Sequence, residues 1–150
     1  MAKSPHCETT NAALEAMPAV SVTLTRKDGS HLELTAKLAN KNSTRAAGFQ
    51  RVCESTMRET PILFVFEREL IPSFHMNNVV APIDIAFITA SSRVDTIFTM
   101  QTYAVMQVLK PTYSPRHPVI AALETHAGFM SDNKIGKHTR IEWQELKPGQ

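Results

Sequence analysis

Apolar and polar residues alternate strictly in two segments near the start of the chain. Residues 20–24 read Val-Ser-Val-Thr-Leu, and residues 32–38 repeat the pattern with leucine or alanine at every second position. Between them lies Lys-Asp-Gly-Ser (27–30), whose Asp-Gly pair favours a tight turn. Alternation with a period of two is typical of strands that bury one face, so these segments predict a β-hairpin.

Short runs that are apolar on both sides follow the hairpin. Residues 62–66 read Ile-Leu-Phe-Val-Phe, and residues 83–88 read Ile-Asp-Ile-Ala-Phe-Ile, each directly after a proline. Such runs are typical of buried strands. Alternation returns over residues 93–100, and the link 90–92 is short enough for a hairpin. The last predicted strands are 119–123 and 140–146, which brings the expected count to six to eight.

Signals for helices are few. Residues 11–16 and 44–47 predict short helices, the second capped by Ser43, and residues 127–133 predict one helical turn. Residues 101–111 are ambiguous between strand and irregular chain. Because strands and helices do not alternate regularly, the pattern predicts an α+β, mostly β fold. We expect a small curved antiparallel sheet or partial barrel with one or two short helices.

The first 18 residues differ from the rest in composition. They carry two prolines and few large apolar side chains, so we expect a flexible N-terminal arm over 1–18 and a single domain over 19–146. This segment lacks the apolar core of a secretory signal, which predicts a cytoplasmic protein, or one incorporated in a particle assembled there. In that setting the two cysteines, Cys7 and Cys53, predict neither a zinc site nor a disulfide.

Charge and hydropathy narrow the classes of partner. The 150 residues carry 16 basic and 14 acidic side chains, for a net charge of +2, and the basic residues form no cluster. Nucleic-acid binding requires clustered Lys and Arg, and a membrane span requires roughly 18 consecutive apolar residues. We therefore expect a soluble protein with neither nucleic acid nor membrane as its partner.

Residues 73–88 resemble the central motif of the bacterial domain of unknown function 192 family. They read Ser-Phe-His-Met-Asn-Asn-Val-Val-Ala-Pro-Ile-Asp-Ile-Ala-Phe-Ile. The usual motif is Phe-Trp-Met-Lys-Asn-Thr, two apolar residues, then Pro-Leu-Asp-Ile-Ala-Phe-Ile. Segments 45–50, 62–66 and 122–128 resemble further family motifs in the same order. The resemblance covers roughly residues 20–143 and implies the family's fold, while the family has no settled activity to transfer.

The sequence departs from the family pattern at three positions within these motifs. His75 replaces the usual Trp, Asn77 replaces the usual Lys or Arg, and Gln50 replaces the usual Met. The chain also lacks the export leader that many members of the family carry. A function that depends on the aromatic or the cationic side chain is therefore not implied for this sequence.

Two carboxylates are candidates for chemistry. Asp84 lies between apolar neighbours in a predicted buried strand, so its carboxylate needs hydrogen-bond donors. It is either a ligand-binding or catalytic group, or a structural acceptor of N–H bonds from the 77–78 turn. Glu124 raises the same alternatives. If both converge in one cleft they would suit acid–base chemistry or a cation, and the sequence leaves this convergence open.

The segment around residue 75 is the best place for a ligand, because the resembling family has its most distinctive residues there. A lone histidine in a strand is also commonly a hydrogen-bonded structural residue. The candidate ligand-binding residues are Phe74, His75, Met76, Asn78, Asp84 and Glu124, and the residues expected to be structural are Gly48, Pro82 and Gly128. No nucleophile elbow, phosphate loop or metal-ligand spacing is present, so we predict no catalytic residue, metal or cofactor.

Three functions stay open at this point. The absence of a catalytic motif favours a non-enzymatic interaction or structural module, such as a component of a viral particle or other large assembly. Its arm would contact protein partners or further copies of the chain. The alternatives are a small-molecule binding protein that uses residues 74–84, and a hydrolase or lyase acting through Asp84 and Glu124.

Overall fold

In the computed structural model, which describes residues 6–146, seven strands form one sheet in the order β5-β4-β6-β3-β2-β1-β7. The elements are α1 (Ala12–Ala16), β1 (Ala19–Thr25), β2 (His31–Ala39), α2 (Asn42–Ala47), α3 (Glu54–Glu59), β3 (Ile62–Leu70), β4 (Ile83–Ile88), β5 (Val94–Met100), β6 (Val119–His126), α4 (Phe129–Asp132) and β7 (Arg140–Glu145). Neighbouring strands are antiparallel except β2 and β3, which are parallel.

The α+β, mostly β class is confirmed, but the sheet does not close into a barrel. Its two edge strands approach each other at one end only. The Ile141 N–H donates to the Ser92 carbonyl at 2.8 Å, and the Val94 N–H donates to the Thr139 carbonyl at 3.2 Å. The described residues also contain four short helices where one or two were expected.

The predicted hairpin is confirmed, with β1 and β2 paired in antiparallel register from Ala19 opposite Lys37 to Thr25 opposite His31. The turn uses Gly29 with a φ of 88°, which a glycine adopts without strain. Val20, Val22 and Leu24 of β1 are fully buried, as the alternation requires.

Each face of the sheet bears its own apolar core. The helical face is the one covered by α1, α2, α3 and the segment 71–82, and its buried residues include Ile62, Phe64, Ile83, Ile85 and Phe87. The opposite face, here the α4 face, is buried under the curved β1, β2 and β7 strands and under α4. Its buried residues include Val20, Val22, Leu38, Leu63, Ala86, Leu123, Met130 and Ile141. Adjacent residues of the central strands therefore enter different cores.

Residues 6–18 of the predicted arm pack against the rest of the domain. A disulfide joins Cys7 to Cys53, and the neighbouring Glu8 pairs with Val52. Leu14 is buried in the core of the helical face, and Met17 is buried with it. A few apolar anchors and one covalent link thus hold a segment whose composition indicated mobility. Residues 1–5 of the predicted arm lie outside the described residues.

Two short helices differ from expectation. Helix α2 begins at Asn42, so Ser43 is inside the helix, and the Thr44 hydroxyl accepts the Lys41 N–H at 3.2 Å. Helix α3 lies in a stretch for which the sequence predicted no helix. Its one buried side chain is Met57, too little to give a periodic signal in the sequence.

Candidate functional site

A pocket of about 330 Å³ opens on the helical face, between α2 with the residues that follow it and the segment 72–79. This volume suits a small organic molecule. The lining residues are Asn42, Arg45, Ala46, Ala47, Gly48, Phe49, Gln50, Phe64, Phe66, Pro72, Ser73, Phe74, His75, Val79, Ile83 and Glu124. The pocket therefore combines an aromatic lining with a few polar groups.

Phe74 is the centre of the aromatic lining. Its ring meets Phe64 edge-on at 5.1 Å between centroids and Phe66 at 6.4 Å. Its backbone is fixed as well, because Phe74 and Tyr113 exchange two N–H to carbonyl bonds of 2.9 Å each. An apolar ligand body would meet a preformed surface here.

Gly48 lets α2 end close to this surface. Its φ is 47°, and a Cβ atom placed on it would lie 3.4 Å from the Phe64 ring. Both the backbone angle and the close approach favour glycine, as expected from the sequence.

Glu124 supplies a carboxyl group to the pocket. It lies opposite Ile62 on β3 and Ile85 on β4, so its side chain points to the helical face. The residue is only 4% exposed. No hydrogen bond from residues 6–146 reaches the carboxyl group, and burial alone raises its pKa to about 8. The group is therefore mostly uncharged at neutral pH. Its oxygens stay open to the pocket, because no fully buried side-chain N or O atom in residues 6–146 lacks a partner.

We expect Glu124 to make stability depend on pH. The carboxyl group titrates near 4.5 when unfolded and at about 8 when folded. Between these values the folded state holds the extra proton, so the free energy of unfolding falls as the pH rises from about 4.5 to about 8. Because the pocket is open to water, we expect a loss on the order of 2 kcal/mol. Urea unfolding across this window measures it.

The matched variant for this measurement is Glu124→Gln, which keeps the shape of the side chain and cannot ionise. Its stability should lack the decrease over the same window. An equal decrease in both proteins would assign the pH dependence to other groups.

Arg45 places a guanidinium at another part of the pocket. The side chain is 16% exposed, and it donates to the Val65 carbonyl at 2.9 Å and to Asn42 Oδ1 at 2.7 Å. Val65 pairs with Ala121, three residues before Glu124 on β6. At about 3.3 Å per residue, the Val65 carbonyl that holds Arg45 lies roughly 10 Å along the sheet from Glu124.

The rim of the pocket is a polar network. Gln50 donates from Nε2 to the Ala46 carbonyl at 2.9 Å and accepts from Asn78 Nδ2 at 3.0 Å. The exposed His75 accepts the Asn77 N–H at Nδ1, 3.1 Å away. Since Nδ1 is the acceptor, Nε2 is the ring nitrogen left to donate to a ligand.

The six candidate ligand-binding residues do not share one site. Phe74, His75 and Glu124 line the pocket. Met76 is buried beside it, and Asn78 reaches it only through Gln50. Asp84 is on the other side of the sheet.

Asp84 has a structural environment on the α4 face. It accepts the Thr99 hydroxyl at 2.7 Å and the N–H groups of Gly128 and Met130 at 3.0 and 3.1 Å. The donors thus come from β5 and the start of α4, not from the 77–78 turn proposed from the sequence. Gly128 has a φ of 93°, the left-handed conformation expected for it.

Asp84 and Glu124, whose convergence the sequence left open, do not converge. Asp84 pairs with Thr125, and Glu124 pairs with Ile85, one position along the same two strands. Successive side chains of a strand point to opposite faces, so the two carboxyl groups lie on opposite sides of the sheet. They cannot act on one substrate.

Arg45 and Gln50 are the site residues that sequence reasoning missed. Both lie in the 45–50 segment that carried the family resemblance. Their position beside the 72–79 segment depends on long-range packing, which no local pattern contains. Within residues 6–146, no group of three or more His, Cys, Asp or Glu side chains is arranged to hold a metal ion. No helix in that range combines the length and hydropathy needed to cross a bilayer.

Comparisons with known proteins support the fold. The model of a family described as "Uncharacterized ACR" matches residues 23–143. A protein from Sinorhizobium meliloti 1021, described as a candidate transcription regulator, is similar with a TM-score of 0.72 and 24% identity over 85% of this chain and 95% of that one. A protein of unknown function from Novosphingobium aromaticivorans DSM 12444 is similar with a TM-score of 0.69 and 24% identity over 91% of this chain and 99% of that one. No curated protein matches significantly.

Proposed function

Given that the chain belongs to the domain of unknown function 192 (DUF192) family, the family of the match above, we propose that it binds a small organic anion with an apolar body. The observation that carries this proposal is the carboxyl group of Glu124. It lines the pocket on a residue that is 4% exposed, and no hydrogen bond from the described residues holds it. Its oxygens are open to the pocket, because no fully buried side-chain oxygen in residues 6–146 lacks a partner, so a polar group of a ligand can hydrogen-bond them.

The lining of the pocket defines the chemistry of the ligand. Phe64, Phe66 and Phe74 accept an aromatic or aliphatic body. Arg45 donates to a carboxylate or another anionic group, because several of its N–H groups remain beyond the two that donate to Val65 and Asn42. Its ion pair with Glu67 is long, 3.8 Å, and the Glu67 side chain is 84% exposed, so an anion can replace it. Glu124, uncharged below about pH 8, does not repel an anion and hydrogen-bonds a polar group.

Two alternatives have less support. The assembly hypothesis followed from the absence of a catalytic motif and used the N-terminal arm as its contact with partners, but residues 7–17 contact their own domain through Cys7, Leu14 and Met17. The hydrolase or lyase hypothesis needs Asp84 and Glu124 in one cleft, and they face different cores. Binding therefore accounts for more of the site than either alternative.

The disulfide bears on the compartment in which the protein folds. Disulfides persist in oxidising compartments and are rare in the cytoplasm. The Cys7–Cys53 link therefore supports maturation outside the cytoplasm, in place of the cytoplasmic location expected from the sequence. Counting free thiols in protein purified under alkylating conditions from its native cells tests this.

The ligand class can be tested with three probes of similar size: phenylacetate, phenethyl alcohol and phenethylamine. We expect phenylacetate to bind most tightly and phenethylamine least, since Arg45 attracts an anion and repels a cation. Chemical-shift titration of the full-length protein gives the affinities and shows whether the perturbed signals belong to the pocket. Equal affinities, or perturbations away from the pocket, would contradict the proposal.

Arg45→Gln should weaken phenylacetate binding by about tenfold while leaving phenethyl alcohol nearly unchanged. The loss follows from removing a charge-assisted hydrogen bond to the carboxylate. Arg68→Gln is the matched control, because Arg68 is an exposed arginine on β3 that does not line the pocket. An equal loss for acid and alcohol would indicate that Arg45 only shapes the pocket.

A further inference from the structure

Four large apolar side chains lie almost fully in solvent between β5 and β6. Val105 is 93% exposed, Met106 92%, Val108 91% and Leu109 84%. The sequence left residues 101–111 ambiguous between strand and irregular chain, and the structure shows an irregular loop. Single exposed apolar residues are ordinary, but four within five positions form a contiguous patch that water solvates poorly.

Polar contacts within the loop hold this patch outward. Gln107 accepts the Ala104 N–H at Oε1, 2.7 Å away, and donates from Nε2 to the Leu109 carbonyl at 2.6 Å. At the base of the loop, the Tyr103 hydroxyl donates to the Pro111 carbonyl. Gln107 and Tyr103 therefore bind three backbone groups of the loop, and the apolar side chains are left to face outward.

The charge beside the patch is positive. The loop borders a groove whose lining includes the cations Arg51 and Lys110 and has no acidic residue among the described ones. Tyr103 lines the same groove at the base of the loop. An apolar tip above a tyrosine and flanking cations is the arrangement of segments that lie in the interface of an anionic bilayer.

The size of the patch argues against a stable protein partner. Each of the four side chains offers roughly 60 to 120 Å² of apolar surface, so together they offer at most about 480 Å². A stable protein interface buries about 800 Å² on each partner. A bilayer needs no matching surface, and a small convex tip is enough for reversible attachment.

We propose that residues 103–110 form a membrane-docking loop that inserts into the interface of an anionic bilayer. Val105, Met106, Val108 and Leu109 enter the acyl boundary, Tyr103 lies at the level of the headgroups, and Lys110 contacts lipid phosphate. This attachment needs no membrane-spanning segment. It replaces the sequence-based expectation that no membrane is a partner.

Co-sedimentation of the full-length protein with vesicles tests the proposal. We expect binding to vesicles of equal parts phosphatidylcholine and phosphatidylglycerol, and weaker binding to phosphatidylcholine alone. The combined variant Val105→Ser, Met106→Ser, Val108→Ser and Leu109→Ser should reduce binding by about tenfold or more. These side chains make few contacts in the folded protein, so the variant should keep the thermal stability of the original.

Two control variants distinguish vesicle binding through this loop from nonspecific adsorption of the protein to vesicles. Leu146→Ser removes an exposed apolar side chain just beyond β7, at the opposite edge of the sheet, and should leave vesicle binding unchanged. Lys110→Gln should weaken binding to the anionic vesicles only. No binding of the original protein to either vesicle would overturn the proposal. A serine variant that binds the vesicles as well as the original protein would also overturn it. So would a serine variant whose only change is the conversion of a dimer into a monomer, measured by light scattering.

Discussion

Replacing Asp84 by alanine should lower the free energy of unfolding by about 2 to 4 kcal/mol. The substitution leaves the buried Met130 N–H and the partly buried Gly128 N–H without an acceptor, and it frees the Thr99 hydroxyl, which is exposed and can turn to water. It also leaves a cavity at a residue that is 2% exposed. These bonds link β4 to β5 and to the start of α4. The substitution should therefore also destabilise α4 and its contacts with the sheet.

Urea unfolding of three variants measures this effect. Asp84→Asn keeps the size of the side chain and one acceptor oxygen, so it should lose less than the alanine variant. Glu33→Gln is the control for losing a carboxylate in a strand, because Glu33 is exposed on β2, and it should change stability by under about 0.5 kcal/mol. An alanine variant within about 1 kcal/mol of the original protein would mean that Asp84 does not have this structural role.

Reducing the Cys7–Cys53 disulfide should lower the free energy of unfolding by about 4 kcal/mol. The bond closes a loop with a sequence separation of 46 residues, which restricts the unfolded chain. It also holds the 7–17 segment against the start of α3, where Glu8 pairs with Val52. The reduced protein should therefore unfold at lower urea concentration, and its N-terminal segment should become sensitive to protease first.

The double variant Cys7→Ser, Cys53→Ser separates this effect from other actions of the reductant. Its stability should equal that of the reduced original protein and should not change when reductant is added. Two free thiols in the oxidised, folded protein would show that the bond is not formed and would contradict the prediction.

Much of the fold could be predicted because its strands carry local signals. The β1–β2 hairpin follows from period-two alternation around an Asp-Gly turn, and β3 and β4 follow from short apolar runs after proline. Helix α3 could not be predicted, because its burial rests on Met57 alone. The docking of residues 7–17 depends on a disulfide whose partners are far apart in sequence, and no spacing rule pairs them.

The site could be predicted only in part, for a geometric reason. Burial of Asp84 and Glu124 follows from their apolar neighbours, but the face that each side chain occupies depends on the register between β4 and β6. A shift of one residue exchanges the two faces of a strand. Sequence alone therefore identifies Phe74, His75 and Glu124 as candidates but cannot place Asp84 in the opposite core or bring Arg45 to the pocket.

The meeting of the sheet's two edges has a consequence for how copies of the chain behave at high concentration. An open sheet invites edge-to-edge polymerisation, because its outer strands have unpaired N–H and carbonyl groups. Here the Ile141 N–H bonds the Ser92 carbonyl and the Val94 N–H bonds the Thr139 carbonyl. These bonds connect the two edge strands and pair some of their free backbone groups. Along the rest of β7, Glu142, Gln144 and Glu145 are exposed and Trp143 is half-buried, so the strand carries two negative charges to the solvent. The fold thus keeps an unclosed sheet without offering a long, flat edge on which fibrils could grow.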